Sequence, residues 1–374
     1  MLRYLTSGES HGKCMLVIVD GVPAGLKIDK KKIDVELARR MLGYGRGKRM
    51  SIERDAADIL SGVRKSVTIG SPVAMMIKNV DHSIDRLPVV LEPRPGHADL
   101  AGALKFGHGD IRSVLERSSA RETVARVAAG ALSKLLLREF GIKIASHVTA
   151  IGGVESSASA PGIDRIILMS EKSPVRCVDR NVSDLMCEEI DTAMAEGDTL
   201  GGVFEIIVDG VPPGLGSYTQ WDRKLDAMLA RALVSIQAVK GVSFGMGFET
   251  ARIKGSMVHD EIFYEKSRGF YRKTNSAGGI EGGMTNGSQI VIKAAMKPIS
   301  TLRKPLLSVN IRTKRPVRAA VERSDVCAVP AAGIIGENVV AIEIANAMIE
   351  KFGGDSVAEM RRNFGGYLSQ VRKF

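Results

Sequence analysis

The spacing of apolar positions along the chain predicts a long helix in its first half. From residue 118 or 119 to 140, apolar side chains recur every three or four residues, which is the period of one helix face. Ser119 followed by Glu122 fits a capping box, and Gly141 is a typical helix end. The apolar face is broad and consists of Val124, Val127, Ala128, Ala131, Leu132 and Leu135. We therefore expect this helix to lie at the centre of the molecule.

Further helices and strands are interleaved without a regular strand–helix–strand rhythm. Helical spacing also covers residues 30–42, 221–237 and 339–351. Strand-like apolar runs cover residues 14–19, 71–78, 143–154, 202–209 and 289–296. This order favours an α+β fold over a doubly wound parallel sheet. We expect one domain over 1–374, with the small, polar stretch 155–180 as a surface excursion.

A repeated nonapeptide indicates internal symmetry. Residues 18–26, IVDGVPAGL, recur as 207–215, IVDGVPPGL, with eight of nine positions identical. In both copies a strand-like run leads into a Pro/Gly turn, and a helical pattern follows. The repeat predicts two pseudo-symmetric halves packed against each other. Chance reuse of a favourable turn is the alternative.

The charge of the chain favours an anionic partner. Its 374 residues carry a formal net charge of +11, but they include one Trp and no base-stacking motif. The basic residues lie in short Arg/Gly loops, which suit a small anionic substrate better than nucleic acid. Four scattered cysteines with no metal-ligand spacing predict reduced thiols in a cytoplasmic protein without a metal. The chain has no signal-peptide pattern and no apolar stretch of membrane-spanning length, so we expect no membrane partner.

Two of the six histidines lie in loops shaped by glycine. His11 is in Gly-Glu-Ser-His-Gly at 8–12, and His97 is in Arg-Pro-Gly-His-Ala-Asp at 94–99. Glycine and proline fix sharp turns, so both rings are held on shaped backbone. Imidazole titrates near neutrality, which makes both residues candidates for proton transfer. The alternative is that each ring only caps a turn. No nucleophile elbow, dinucleotide fingerprint or P-loop fits the chain.

Three further regions are candidate anion or ligand sites. Residues 39–49 place five cations within eleven residues, and a solvated basic loop is the alternative. The segment 117–123 begins the long predicted helix, where unpaired N–H groups suit a phosphate. The segments 274–287 and 297–301 are predicted ligand loops. Asp325 is an isolated acid beside Arg323, and a helix cap is its other interpretation.

Taken in order, these segments resemble the chorismate synthase family over nearly the whole chain. The resemblance rests on seven separated motifs: GESHG at 8–12, the RR…GYGRG region at 39–49, RPGHADL at 94–100, ERSSARET at 116–123, WDRKLDA…SIQAVKGV at 221–242, AGGIEGGMTNG at 277–287 and MKPISTL at 296–302. Each motif alone is weak to moderate, but their joint order is specific.

The resemblance implies a reaction, a cofactor and an assembly. The reaction is the 1,4-anti elimination of phosphate from 5-enolpyruvylshikimate 3-phosphate to give chorismate, with reduced FMN and no net redox change. The implied fold is a helical core sandwiched between antiparallel sheets, assembled as a homotetramer. The substrate carries a phosphate and two carboxylates, and such a ligand needs fixed cations.

The resemblance also assigns roles to individual residues. His11 would give a proton or hydrogen bond to the departing phosphate, His97 would support the reduced flavin, and Asp325 would assist removal of the ring proton. The substrate-binding residues would be Arg40, Arg46, Arg49 and Arg121, with NADP sometimes placed at Arg40 and Arg46. The FMN-binding residues would be Arg117, Ser118, Ser119, Gln237, Ala238, Gly282, Lys297, Pro298, Ile299, Ser300, Thr301 and Arg323. The family usually has His and Pro where this chain has Ser324 and Val326.

Two other function classes remain open at this point. A function as a basic RNA-binding protein would explain the net positive charge, but it would not explain the two histidines in glycine-shaped loops. An ordinary flavin oxidoreductase would consume NADPH in step with turnover. Because the chain has no extra nucleotide motif, we expect a separate flavin reductase and only an indirect role for NADPH.

Overall fold

The computed structural model of the protein describes residues 1–47, 53–156, 162–322 and 324–374. The α-helices in these ranges are α1 Lys30–Met41, α2 Asp99–Phe106, α3 Arg112–Ser118, α4 Thr123–Arg138, α5 Ile163–Ser170, α6 Arg180–Glu196, α7 Leu225–Val234, α8 Gly255–Val258, α9 Val329–Phe352 and α10 Val357–Lys373. The strands are β1 Arg3–Ser7, β2 Cys14–Asp20, β3 Ala57–Ile59, β4 Val63–Arg64, β5 Val67–Thr68, β6 Val73–Lys78, β7 Lys143–Ile151, β8 Val154–Glu155, β9 Gly202–Asp209, β10 Val239–Phe244, β11 Ile262–Glu265, β12 Gly269–Arg272, β13 Ile280–Glu281, β14 Met284–Thr285, β15 Ile290–Met296, β16 Leu307–Val309 and β17 Pro316–Arg318.

Two antiparallel sheets organise these strands. The first has the order β1-β2-β6-β3, and the second has the order β10-β15-β9-β7-β8. Each of the five strands predicted from apolar runs corresponds to a strand of one of these sheets. The interleaved helices and antiparallel sheets make this an α+β protein, as the missing strand–helix–strand rhythm predicted.

Two long helices pack on the sheets and on each other. Helix α4 contacts β2 and β6 of the first sheet, helix α9 contacts β7 and β9 of the second, and the two helices pack on each other. Their approach is close at Gly130, where an added Cβ atom would lie 2.4 Å from the Cβ atom of Asn338. Side chains from both sheets and both helices belong to one large buried apolar cluster. The long predicted helix is therefore central, as its broad apolar face indicated.

Helix α9 begins ten residues before its predicted start. The prediction of 339–351 missed the turns that contain Pro330, Gly333 and Gly336. Proline is tolerated in a first turn, and the glycines allow close packing on the sheet. A Cβ atom at Gly336 would lie 2.7 Å from the Cδ1 atom of Ile206. Of the helices in the described ranges, α9 is long and apolar enough to cross a membrane, but 89% of its most apolar window is buried inside the protein.

The start of the central helix was predicted incorrectly. The stretch expected as one helix from 118 or 119 consists of the end of α3, a 3-10 turn at Ala120–Glu122, and α4. Ser119 adopts an extended conformation, and its hydroxyl accepts a hydrogen bond from the N–H of Arg121. The carboxylate of Glu122 instead binds the side chains of Thr6 and Arg126. The capping box is absent because Glu122 has these tertiary partners.

The helix of the second repeat is shorter than predicted. Residues 221–237 contain a 3-10 turn at Trp221–Arg223 and then α7, which ends at Val234. The chain reverses at Ala238, which has a φ of 67°. Leu225, Leu229, Leu233 and Ile236 of the predicted apolar stripe are buried.

The two copies of the nonapeptide make the same turn with the same hydrogen bonds. In the first copy the hydroxyl of Thr68 donates to the carbonyl of Pro23 (2.6 Å) and accepts from the N–H of Leu26 (2.9 Å). In the second copy Thr285 donates to Pro212 (2.7 Å) and accepts from Leu215 (2.8 Å). Gly25 and Gly214 have φ values of 86° and 83°. Positive φ favours glycine, which explains why the repeat retains it.

The stretch 155–180 is partly integrated into the second sheet. Within its described residues, α5 contacts β7 and β9. Ile163 and Ile166 of this helix are buried in a small apolar cluster with Ala145 and Ile207. This segment therefore adds a covering layer to the outer face of the second sheet, although its composition suggested an excursion.

Candidate active site

The loop that carries His11 connects β1 to β2 and is held from both sides. The amide of Asn79 donates to the carbonyls of Glu9, Ser10 and Gly12, at 3.2, 3.3 and 2.7 Å. The backbone N–H of His11 donates to the Oε2 atom of Glu116 at 2.7 Å. These bonds fix the loop backbone, which places the imidazole in a defined position.

The ring of His11 lies between two carboxylates. Its Nδ1 atom is 2.9 Å from Oε1 and 3.1 Å from Oε2 of Glu116, and its Nε2 atom is 4.0 Å from Oδ2 of Asp81. Burial raises the pKa of Glu116, but hydrogen bonds and the positive charge from His11 outweigh burial, so the net pKa lies below its ordinary value. A carboxylate of this kind is a strong partner for an imidazole N–H.

Two of the predicted substrate arginines share a buried carboxylate. Nη2 of Arg40 is 2.9 Å from one oxygen of Asp55, and Nη1 of Arg121 is 2.7 Å from the other. Nε of Arg121 also donates to the side-chain oxygen of Asn79, which connects this pair to the His11 loop. Burial and the neighbouring charges of Arg121 and Arg46 outweigh the opposing charge of Asp55, and the pKa of Arg40 is lowered to about 10. The cluster thus holds positive charge that a bound anion would stabilise.

Arg46 connects this cluster to the candidate base. Its Nη1 atom is 2.7 Å from Oδ2 of Asp325, and the N–H of Gly47 donates to Oδ1 at 2.6 Å. The hydroxyl of Ser324, where the family usually has His, donates to the carbonyl of Thr301 at 2.9 Å. The orientation of Asp325 is therefore set by the basic loop, and Ser324 contacts the 297–301 segment.

His97 is held by a buried carboxylate and an arginine. Its Nδ1 atom is 2.5 Å from Oδ1 of Asp99 and 3.0 Å from Nη2 of Arg94. Arg94 makes two further side-chain bonds to Asp99, at 2.8 and 3.0 Å, and one to the hydroxyl of Thr301 at 2.7 Å. Burial raises the pKa of Asp99, but hydrogen bonds from His97 and Arg94 bring it far below its usual range.

The 297–301 segment contacts both the His97 loop and the end of the second repeat. The hydroxyl of Ser300 donates to the carbonyl of Gly96 at 2.8 Å, and the ammonium of Lys297 donates to Ser300 at the same distance. The N–H of Lys297 donates to the carbonyl of Ala238. Partial burial and the nearby Lys240 lower the pKa of Lys297. Ile299 accepts a hydrogen bond from Thr199, and Pro298 is exposed.

The remaining predicted cofactor residues lie beside the His11 loop. The guanidinium of Arg117 donates to the carbonyls of Gly8 and Thr6. The hydroxyl of Ser119 donates to Ser10 at 3.2 Å. The amide nitrogen of Gln237 donates to Glu122 at 3.4 Å. Within the described ranges, the buried Oγ atom of Ser118 and the buried Oε1 atom of Gln237 have no hydrogen-bond partner.

Three predicted residues are outside this set of contacts. Gly282 lies at the exposed tip of the β13–β14 hairpin, where it and Gly283 both have positive φ, and an added Cβ atom would meet open space. Arg49 and Arg323 lie outside the described residues, so their expected roles remain predictions. Among the residues that are described, no cluster of three His, Cys, Asp or Glu side chains could hold a metal ion.

Sequence reasoning missed the residues that hold the predicted ones in place. These supporting residues are Asn79, Asp55, Arg94, Asp99, Glu116 and Glu122. Four of them lie inside the quoted motifs 94–100 and 116–123 as charged residues at positions that turn out to be buried. For Asp99 the sequence offered one signal, which is that this charged residue lies two positions after a histidine in a loop shaped by glycine and proline. Asn79 and Asp55 carried no comparable signal, because their partners are distant in sequence.

The contacts described above connect into a ring. From the His11 loop it runs through Asn79, Arg121 and Asp55 to Arg40. The charge of Arg46, which pairs with Asp325, acts on Arg40 electrostatically. It continues through Ser324, Thr301 and Arg94 to the His97 loop. It returns through Ser300, Lys297, Ala238, Gln237, Glu122 and Thr6. Both histidines, the candidate base and most of the predicted ligand residues are therefore linked through one network.

Comparison with known proteins identifies the family of the chain. The family model described as chorismate synthase matches residues 2–349. Chorismate synthases of Geobacter sulfurreducens and Symbiobacterium thermophilum are 55% and 54% identical to the chain, with complete coverage of both sequences in each comparison. A crystal structure of chorismate synthase superposes with a TM-score of 0.83 at 41% identity, covering 100% of this chain and 99% of that one. The chain belongs to the chorismate synthase family, whose members are carbon–oxygen lyases that release phosphate in the synthesis of aromatic amino acids.

Proposed function

We propose that the ring of contacts forms the active site for the elimination of phosphate from 5-enolpyruvylshikimate 3-phosphate. The observation that carries this proposal is the network that links the three candidate catalytic residues. Arg121 and Arg40 share Asp55 beside the His11 loop, and Arg46 pairs with Asp325. Ser324, Thr301 and Arg94 connect Asp325 to His97. A substrate with one phosphate and two carboxylates suits guanidinium groups that are already fixed by buried partners. The family resemblance adds Arg49 to these substrate-binding arginines.

Each of the three candidate catalytic groups takes one task. His11 donates a proton or a hydrogen bond to the phosphate as the carbon–oxygen bond breaks and its electron pair leaves with the phosphate oxygen. Asp325 assists removal of the ring proton on the opposite side, and the electron pair of that C–H bond enters the new double bond. His97 hydrogen-bonds the cofactor. Proton-transfer help of this type contributes roughly 10²–10⁴ in rate.

Reduced FMN fits the residues between the His11 loop and the 297–301 segment. Buried polar atoms are normally hydrogen-bonded, and Ser118 Oγ and Gln237 Oε1 lack partners within the described chain. We propose that these atoms, with Ser119, Ala238 and the residues Lys297, Pro298, Ile299, Ser300 and Thr301, hold the flavin. Arg117, Gly282 and Arg323 would be added from the family resemblance. When bound, reduced flavin supplies transient electron density that helps expel phosphate.

Internal pseudo-symmetry of the helical sandwich is part of the same proposal. The order β1-β2-β6-β3 has a counterpart in β7-β9-β15-β10, because each strand occupies the same place in its half of the chain. Helices α1 and α7 follow the two repeated turns, and Thr68 and Thr285 bind those turns identically. These correspondences support two related halves within one domain over 1–374.

The remaining properties are extended from the family. We propose a cytoplasmic homotetramer that receives reduced flavin from a separate flavin reductase and depends on NADPH only through it. The four cysteines are free thiols, which suits a reducing compartment. Neither a nucleic acid nor a membrane has a part in this proposal.

An anaerobic assay tests the proposed site. Purified protein, chemically reduced FMN and the enolpyruvyl substrate should yield chorismate and free phosphate in equal amounts. His11→Ala and His97→Ala should each slow turnover by at least about tenfold, while FMN still binds. His259→Ala, which changes an exposed histidine outside the ring, should leave turnover unchanged. Normal rates in both site variants would remove the assigned roles.

The same assay separates the two other function classes. An ordinary flavin oxidoreductase would consume NADPH in proportion to product, whereas elimination requires none once the flavin is reduced. A nucleic-acid-binding protein would lose its ligand steeply with added salt. FMN binding with little dependence on salt, followed by turnover without NADPH, is the expected outcome.

A further inference from the structure

Glu116 makes an unusual set of contacts to a single partner. Its carboxylate is 1% exposed and accepts both the backbone N–H of His11 and a bond from the Nδ1 atom of the ring. The closest cation with a measured contact to it is Arg112, whose Nη1 atom is 3.8 Å away. Arg112 is itself engaged by Glu322 at 3.0 Å and by the carbonyl of Pro88 at 3.2 Å. Most of the stabilisation available to the buried carboxylate therefore comes from His11.

The geometry determines which ring nitrogen can take part in chemistry. A carboxylate only accepts hydrogen bonds, so the Nδ1 atom of His11 must carry a proton that points at Glu116. The other nitrogen, Nε2, is then the one that gains and loses a proton, and its side of the ring faces away from Glu116 toward Asp81, 4.0 Å away. The orienting hydrogen bond on one nitrogen sets the role of the other.

We propose that Glu116 is a positioning residue that selects the Nδ1–H tautomer of His11 and stabilises its doubly protonated ring, so that Nε2 is the proton donor to the departing phosphate. The inference rests on the proposed role of His11 in the elimination. It adds that a buried carboxylate, which itself touches neither substrate nor cofactor, sets the protonation state of the proton donor.

A purely structural role for Glu116 is the competing explanation. The bond to the backbone N–H of His11 would hold the loop even if the ring bond had no chemical effect. A structural role predicts loss of stability when Glu116 is replaced, but no change in tautomer and no change in the pH dependence of turnover. These two readouts therefore separate the explanations.

The tautomer is measured on the wild-type protein. Nitrogen NMR of protein labelled with ¹⁵N-histidine, with the His11 signals identified by their loss in His11→Ala, should show the neutral ring protonated at Nδ1. In Glu116→Gln the ring should become a mixture of both tautomers. A neutral wild-type ring protonated at Nε2 would overturn the proposal without any need for the variant to fold.

The pH dependence of turnover is the second measurement. Removing a carboxylate disfavours the protonated ring, so in Glu116→Gln the fall of kcat on the alkaline side should begin roughly one pH unit lower, with KM changed much less. At neutral pH kcat should fall about tenfold. Glu116→Asp keeps the charge and should recover part of both effects. An unchanged profile in a folded Glu116→Gln protein would reject the inference.

A matched control and a double variant complete the test. Glu205 forms a comparable buried pair with His147 on the second sheet, at 3.0 Å, and lies outside the ring. Glu205→Gln should lower stability but leave the pH profile of turnover unchanged. Adding Glu116→Gln to His11→Ala should cost no further activity. If His11→Ala alone is fully active, the role of His11 fails, while the tautomer measurement still decides what Glu116 does.

Discussion

The two histidines of the site are paired with carboxylates in different ways. Asp99 is shared, because Arg94 binds both of its oxygens at 2.8 and 3.0 Å while His97 contacts one of them. Glu116 has its cation at 3.8 Å and gives its short contacts to His11. A carboxylate that is paired with a cation can orient an imidazole ring but contributes little negative charge to it. A carboxylate without a close cation also stabilises a second proton on the imidazole. The difference supports the proposed proton donation by His11 and the proposed fixed hydrogen bond from His97.

The largest expected effect comes from breaking the Arg94–Asp99 pair. Both side chains are buried, and removing one partner of a buried ion pair typically costs about 3–5 kcal/mol. Arg94→Ala should lower the free energy of unfolding by this amount, measured by urea denaturation at pH 7. Arg94→Lys, which keeps the charge but loses the two-pronged geometry, should lose less. Equal losses in both variants would mean that a positive charge without the two hydrogen bonds of the guanidinium contributes nothing to stability.

Replacing each histidine by glutamine should separate the two roles. Glutamine can donate or accept a hydrogen bond but cannot transfer a proton. His11→Gln should therefore lower kcat by about 10²-fold or more, whereas His97→Gln should lower it by about tenfold or less. Anaerobic turnover with reduced FMN measures both, and flavin binding measured by fluorescence serves as the control. The reverse order of effects would exchange the two assignments.

The carboxylates should also differ in how they connect stability to pH. The folded protein lowers the pKa of both Glu116 and Asp99, so each contributes stability that is present above its ordinary value of 4.5 or 3.8 and is lost as the pH falls through its folded value. Each group contributes at most about 1.4 kcal/mol per pH unit in that window. As the pH falls, stability should decrease less steeply than in wild type below about 4.5 in Glu116→Gln and below about 3.8 in Asp99→Asn. The total loss that is removed should be larger in Asp99→Asn, because the pKa of Asp99 is lowered further. Parallel slopes for all three proteins would contradict the pKa directions.

The smallest effect concerns the distant cation of Glu116. Arg112→Gln removes a positive charge 3.8 Å from the carboxylate and leaves the contacts to His11 in place. More of the negative charge then acts on His11, so the alkaline fall of kcat should move up by roughly a few tenths of a pH unit. A move in the opposite direction would show that Arg112 acts through its bonds to Glu322 and Pro88.

Local patterns predicted those parts of the fold that depend on local physics. The five strands and α1 follow from runs whose periodicity matches their final environment. The repeated nonapeptide was recognised from its eight identical positions, and the turn in both copies places glycine at a positive φ. The start of α9 and the break before α4 were missed, since distant partners decide them: Gly336 fits against Ile206, and Glu122 binds Thr6.

The candidate site likewise contains some features that local sequence predicts and others that depend on distant partners. The framed histidines and the basic loop could be identified, because turn residues and clustered charge are visible in sequence. The buried partners could not, since Asn79, Asp55 and Glu116 act across separations of 42 to 105 residues, which only the folded chain brings together. That Arg46 pairs with Asp325, 279 residues later by number, is equally a property of the fold.

The contact between Gly130 and Asn338 has a consequence for how ligands enter. A Cβ atom added at Gly130 would lie only 2.4 Å from the Cβ atom of Asn338, so α4 and α9 are packed too closely to slide past one another. Close-packed interiors resist such shear, so the two sheets behave as a single rigid frame. We therefore expect entry of the substrate and of the proposed flavin to depend on movements of the surface loops, while the arginines behind them stay pre-assembled on their buried carboxylate partners.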